Sequence, residues 1–196
     1  MDKTLQYYDT NAKTFVEDTI NANMKELYML FQKYCAPGAT ILDFGCGSGR
    51  DVIYFLSQGY QVDAIDGSWE LCKIATERSG IVVKHMFFQE LDVIEQYDGI
   101  WACSSILHVP KEDLSDVFAR LHHALVPGGY LYASFKYGDF SGDRNGRYFT
   151  DFTTDSFSTF LLDVPGLQVV ETAITGDVRI GREHEKWLNL IIKRTN

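Results

Sequence analysis

The run Ile41-Leu42-Asp43-Phe44-Gly45-Cys46-Gly47-Ser48-Gly49-Arg50-Asp51 constrains the fold of this chain more than any other part of it. An apolar stretch ends in an acid, glycines follow at alternate positions, and an amphipathic helix pattern begins at once. Glycine lets the backbone turn sharply and approach a bound molecule with no Cβ in the way. A second apolar stretch, Tyr60-Gln61-Val62-Asp63-Ala64-Ile65-Asp66, also ends in an acid. Asp66 lies 17 residues after Gly49, where a doubly wound fold sets a carboxylate against a ribose. A cofactor that contains a nucleoside is therefore expected.

The remaining periodicity supports an α/β chain. Leu27, Leu30, Phe31 and Tyr34 recur at helical spacing up to Pro37-Gly38. Strand patterns at 40–44, 60–66, 81–87, 97–103 and 130–136 alternate with helix patterns after Gly49, after Ser68 and over 114–125. Such alternation gives right-handed crossovers and a mostly parallel sheet. Past residue 136 the character changes. A polar segment spans 137–153, a short helix surrounds Phe157, Phe160 and Leu161, and two strands follow near 167–174 and 187–193.

Length and charge exclude several classes. The 196 residues suit one domain. With 18 basic and 27 acidic residues the net charge is −9, so the basic footprint of a nucleic-acid binder is missing. No apolar run is long enough to span a membrane, and the opening residues lack the apolar core of a signal peptide. The four cysteines show no C-x-x-C pairing, and no metal-ligand spacing appears. A cytoplasmic protein is expected, a monomer or weak homodimer, without nucleic-acid or membrane partners and without a bound metal.

A dinucleotide fingerprint needs G-x-G-x-x-G. Here the third glycine comes one residue early and Asp51 opens the helix that a pyrophosphate would approach. Asp43-x-Gly45-x-Gly47-x-Gly49 resembles the first motif of the class I S-adenosylmethionine (SAM)-dependent methyltransferases. The resemblance covers nearly the whole chain. It implies a doubly wound, Rossmann-like α/β fold with a seven-stranded, mostly parallel sheet whose last strand is antiparallel. Residues 1–38 would cap the site, 39–136 would form the cofactor core, and 137–196 would supply an acceptor-side loop and terminal hairpin. Tyr7-Tyr8-Asp9-x-Asn11-Ala12 and the short length are similar to the tellurite-resistance branch.

The same resemblance implies roles. Asp66 takes the ribose hydroxyls, while Asp43 supports the loop Gly45, Cys46, Gly47, Ser48 and Gly49 or the methionine amino group. Gly67, Ser68 and Trp69 lie where adenine stacks, although Trp69 reads equally as a core aromatic. Many members carry an acid after the third strand; here Phe87 or Phe88 stands instead and leaves the adenine edge to backbone groups near Phe88 and the Gln89 amide. Cys103 and Ser104 meet the methionine part, and S-adenosylhomocysteine (SAH) is the product.

His108 follows the fourth strand on the methyl's side and has the pKa range of a general base; the alternative is a loop histidine that shapes the pocket. Tyr8, Tyr137, Arg147, Arg179 and Arg182 are the candidate acceptor contacts. The bland reading of these arginines is a surface hairpin paired with Glu183 and Glu185. The expected function is methyl transfer to O, N or S of a small polar metabolite. Metalloid or xenobiotic detoxification, a silent SAM-binding module and a NAD-linked oxidoreductase are the competing readings.

Overall fold

The computed structural model describes residues 3–179, 181–182 and 184–195. Seven strands form one sheet in the order β3-β2-β1-β4-β5-β9-β8. They are β1 (Thr40–Phe44), β2 (Gln61–Asp66), β3 (Lys84–His85), β4 (Tyr97–Ala102), β5 (Leu125–Lys136), β8 (Leu167–Gly176) and β9 (Lys186–Arg194). Only β9 runs against its neighbours, β5 and β8. The helices are α1 (Lys3–Thr19), α2 (Lys25–Gln32), α3 (Arg50–Ser57), α4 (Trp69–Ser79), α5 (Lys111–Ala124) and α6 (Thr154–Leu161). This is the Rossmann-like α/β fold expected from the sequence, including the antiparallel last strand.

The two-residue period of the strands sorts the core into two layers. Leu42, Ile100, Leu131 and Ile192 pack with Leu114, Phe118 and Leu121 of α5 and Phe157 of α6. Their neighbours Ile41, Trp101, Tyr132 and Ile191 face the other way, against Phe31 of α2 and Phe55 of α3. Both faces being covered explains why these strands read as near-continuous apolar runs. The chain leaves β1 toward β2 on one side and enters β4 on the other, which opens a crevice at the strands' carboxyl ends.

Three local expectations need correction. The third strand is two residues long, not seven, because Val82 is exposed, Phe87 is exposed, and the chain turns away at 88–90. The first strong helical stripe ends at Gln32, short of Pro37. The polar segment contains a hairpin, β6 (Ser141–Arg144) with β7 (Arg147–Thr150). Its two-residue turn is Asn145-Gly146, at φ 52° and 79°, the left-handed pair that a tight hairpin needs.

Candidate functional site

The crevice opens into a cavity of about 1130 Å³. A pocket for one small molecule usually has ~300–1,000 Å³, so this space lies just above that range. It runs from the glycine loop after β1, past the turns after β2, β3 and β4, to α1, the β6–β7 hairpin and the segment joining β8 to β9.

The glycine loop is held by its neighbours. Gly45 has φ +86°, and a Cβ there would sit 2.5 Å from the Ser105 Cβ. Ser105 in turn donates its hydroxyl to the Phe44 carbonyl at 2.6 Å, which ties the turn after β4 to the end of β1. Asp66 closes the loop from β2. Its Oδ2 accepts the Gly47 N–H and its Oδ1 the Ser68 N–H, both at 2.8 Å. Burial nevertheless raises the Asp66 carboxyl above its usual range, against the pull of those two N–H donors. Each oxygen keeps a second lone pair, and the side chain lines the cavity.

Below the loop, Asp43 is buried and its Oδ2 has no hydrogen-bond partner among the described residues. Burial first, and Asp51 second, push its carboxyl up. Asp51 goes the other way. Burial would raise it, but Arg50 at 2.7 and 2.9 Å, the Tyr28 hydroxyl at 2.5 Å and Trp101 Nε1 at 2.9 Å hold it down. The sequence singles out Asp51 only as an acid unsuited to a pyrophosphate at the helix start; its pairing with Arg50, Tyr28 and Trp101 is a finding of the structure.

The cofactor-side candidates divide. Gly45, Cys46, Gly47, Ser48, Asp66, Gly67, Phe88, Gln89, Cys103 and Ser104 all line the cavity. Phe88 lies 4.5 Å from Phe44, ring to ring. Ser104 takes φ 53° and its N–H donates to Ser134 Oγ at 2.8 Å. Burial drives the Cys103 thiol up to about 12. Asp43, Gly49, Ser68 and Trp69 are not on the wall. Gly49 packs its backbone against Ala75, where a Cβ would come within 3.1 Å. Ser68 caps α4, accepting the Leu71 N–H. Trp69 is 55% exposed with its ring edge-on to His85, because as the first residue of α4 it points away from the crevice. Neither reading of Trp69 made from the sequence holds: it is neither core nor cavity wall.

On the acceptor side Tyr8, His108, Tyr137, Arg147, Arg179 and Arg182 line the same cavity, drawn from five separate segments. His108 Nδ1 is 2.6 Å from the Tyr148 carbonyl and Nε2 is 2.8 Å from the Tyr8 hydroxyl. Arg147 Nη1 donates to the Tyr8 oxygen at 3.3 Å, with its guanidinium 4.6 Å from the Tyr7 ring. Arg179 is already spent: its Nε and Nη2 grip Asp177 at 2.8 and 2.5 Å. Lys136 and Trp187 share that carboxylate, and Lys136 also pairs with Glu185. Arg182 stands 4.0 Å from Glu185. Of these arginines only Arg182 faces Glu185, Arg179 being paired with Asp177, and Glu183 lies outside the described residues. Lys136 and Asp177 were not among the candidates; a lysine ending an otherwise apolar strand was the signal for the first.

The residues present fit SAM. Asp43, Asp51 and Asp66 gather around the loop against one guanidinium, which disfavours a pyrophosphate and favours a cation. Asp66 retains lone pairs for ribose hydroxyls, and the missing Cβ at Gly45 lets the turn after β4 close onto the glycine loop. Comparison with known proteins agrees. Residues 41–129 match the family model described as a methyltransferase domain. An uncharacterized methyltransferase of Staphylococcus carnosus is 29% identical over 46% of this chain and 44% of its own length. A ubiquinone biosynthesis O-methyltransferase of Xylella fastidiosa is 35% identical over 50% of this chain and 42% of its own length. The matched stretch therefore spans under half of those curated relatives. The fold is shared with 1,6-didemethyltoxoflavin-N1-methyltransferase of Burkholderia thailandensis, solved with 1,6-didemethyltoxoflavin and SAH bound. Its TM-score is 0.78, at 22% identity, over 98% of this chain and 85% of that one. These matches give a methyltransferase domain over residues 41–129 and the fold of SAM-dependent methyltransferases over nearly the whole chain, and they do not reach the tellurite-resistance branch.

Proposed function

We propose that the protein transfers a methyl group from SAM to oxygen, nitrogen or sulfur of a small polar metabolite. The single observation that carries this reading is one cavity with two chemically distinct ends. One end has backbone turns and Asp66, the other tyrosine, histidine and arginine. Bound SAM would supply an electrophilic methyl on a positive sulfur. The chain's own part is binding and orientation. Asp66 would hold the ribose, the turns at Gly45–Gly49 and Cys103–Ser104 the methionine portion, and Phe88 and Gln89 the adenine edge. Residues 1–38 act as a cap in this reading, 39–136 as the cofactor core and 137–196 as the acceptor side, in a cytoplasmic monomer or weak homodimer. Holding two reactants in line recovers roughly 7–11 kcal/mol of barrier.

Among the arginines, Arg147 is the one to expect on the acceptor, since Arg179 and Arg182 already face Asp177 and Glu185. The test is incubation with methyl-deuterated SAM and a metabolite extract, followed by mass spectrometry. A small molecule that gains the labelled methyl, with matching SAH, is expected. SAH binding with no labelled small molecule would leave a silent SAM-binding module instead.

A further inference from the structure

His108 cannot meet the acceptor through an idle nitrogen. The Tyr148 carbonyl only accepts, so Nδ1 carries a proton and, in the neutral ring, Nε2 is the bare nitrogen. At 2.8 Å from Nε2 the Tyr8 hydroxyl therefore donates to it. The arrangement is braced from both sides. The Tyr148 N–H donates to Thr4 Oγ1 at 3.0 Å, so one residue of β7 is tied to α1 and His108 together. Arg147 Nη1 approaches the Tyr8 oxygen at 3.3 Å.

We infer that Tyr8 is the group that takes the acceptor's proton, with His108 as a positioning residue that receives Tyr8's own proton, and that the acceptor is a weakly acidic O–H or N–H compound. This rests on the methyltransferase reading above and names its substrate class. As the acceptor's X–H bond breaks, its proton passes to the Tyr8 oxygen and Tyr8's proton passes to His108 Nε2. The acceptor atom keeps the X–H electron pair and uses it to bond the methyl carbon, while the pair of the old carbon–sulfur bond stays on sulfur. The imidazolium then donates back to Tyr8 from Nε2 and to the Tyr148 carbonyl from Nδ1, so the same geometry serves before and after. Arg147 stabilises negative charge on Tyr8 or on the acceptor atom in between. A carboxylate acceptor is already ionised near pH 7 and would leave this relay without a task.

The experiment has two readouts. In the protein with SAH bound, ¹⁵N-histidine NMR at pH 8 is expected to show His108 with Nδ1 protonated and Nε2 bare, with Tyr8→Phe shifting the Nε2 resonance. Methyl transfer from methyl-deuterated SAM to the metabolite extract is expected to place the label on an atom that bears a proton at pH 7.5. Wild-type transfer should rise with pH through the imidazole range; Tyr8→Phe should slow it about 10²-fold with SAH affinity held within threefold, and His108→Gln should remove that rise. Arg147, Arg179, Asp66 and Tyr7 all act on the Tyr8 phenol, so Arg147→Gln should move the same profile. Protonated Nε2 in the neutral ring, a label on a carboxylate oxygen, or more than a third of the rate left in Tyr8→Phe would each overturn the relay. Absence of any transfer by the wild type would instead sink the methyltransferase reading, with the NMR result still deciding the direction of the Tyr8–His108 bond.

Discussion

The two ends of the cavity are built by different means. The cofactor end is mainly a backbone structure: turns after β1 and β4, a serine and an aspartate that tie them, and carboxyls close to one another in sequence. The acceptor end is a side-chain structure. Tyr8 and His108 are 100 residues apart and Tyr8 and Arg147 are 139 apart, and they meet only because α1 lies against β7. Their carboxyls differ as well. Asp43 and Asp66 are raised by burial, whereas in Asp177 and Glu185 burial loses to Arg179, Trp187 and Lys136 and both are lowered.

The largest expected effect breaks the backbone end alone. Gly45→Ala must hold a left-handed φ of +86° and place a Cβ 2.5 Å from Ser105. Left-handed strain of about 1–2 kcal/mol and overpacking of about 1–3 kcal/mol add to a loss of about 2–5 kcal/mol in urea unfolding. A change below about 0.5 kcal/mol would mean that the loop relaxes freely.

Acid should separate the ends next. A carboxyl held below its ordinary pKa stabilises the fold fully above about pH 4 and loses that contribution as pH falls through the folded value. Asp177 and Glu185 follow this sign. Asp43 and Asp66 follow the opposite one: their contribution is present at low pH and fades as pH rises through the folded value. Hydrogen exchange, corrected for intrinsic rates, should show residues 175–179 and 184–187 losing protection relative to 61–68 between pH 6 and pH 3, a reference segment that leaves out the Arg50-paired Asp51. Equal loss in both segments would erase the contrast.

The smallest effect is Arg182→Ala. Its guanidinium is about half exposed and 4.0 Å from Glu185, so stability should move by less than about 0.5 kcal/mol and SAH affinity by less than twofold. Loss of SAH binding would place the β8–β9 segment at the cofactor end.

The same contrast explains what the sequence revealed. The cofactor end was legible because its turns are made by contiguous residues: Asp43 to Gly49 and the acid-ended strand to Asp66 carry the spacing themselves. Trp69 misled because a capping serine sets the helix phase, and one residue of phase sends the ring outward. The hairpin had a clear signal in Asn145-Gly146, hidden by its polar surroundings. The residues proposed for the acceptor end do line one cavity, but their pairings were not legible in the sequence. That Arg179 belongs to Asp177, or that Tyr8 sits on His108, depends on tertiary contacts that no local pattern encodes.

In the proposed function, Asp66 and the glycine turns bind a SAM-type nucleoside independently of the acceptor end. Calorimetry of SAH and NAD binding, on the protein and on Asp66→Ala, tests it most directly. Charge-assisted bonds to two ribose hydroxyls are worth roughly 1.5–3 kcal/mol each. Micromolar SAH binding, no measurable NAD binding, and a loss of about 10²-fold or more for SAH in a folded Asp66→Ala are therefore expected. SAH affinity within threefold of the parent in that variant, or a preference for NAD over SAH, would contradict that reading.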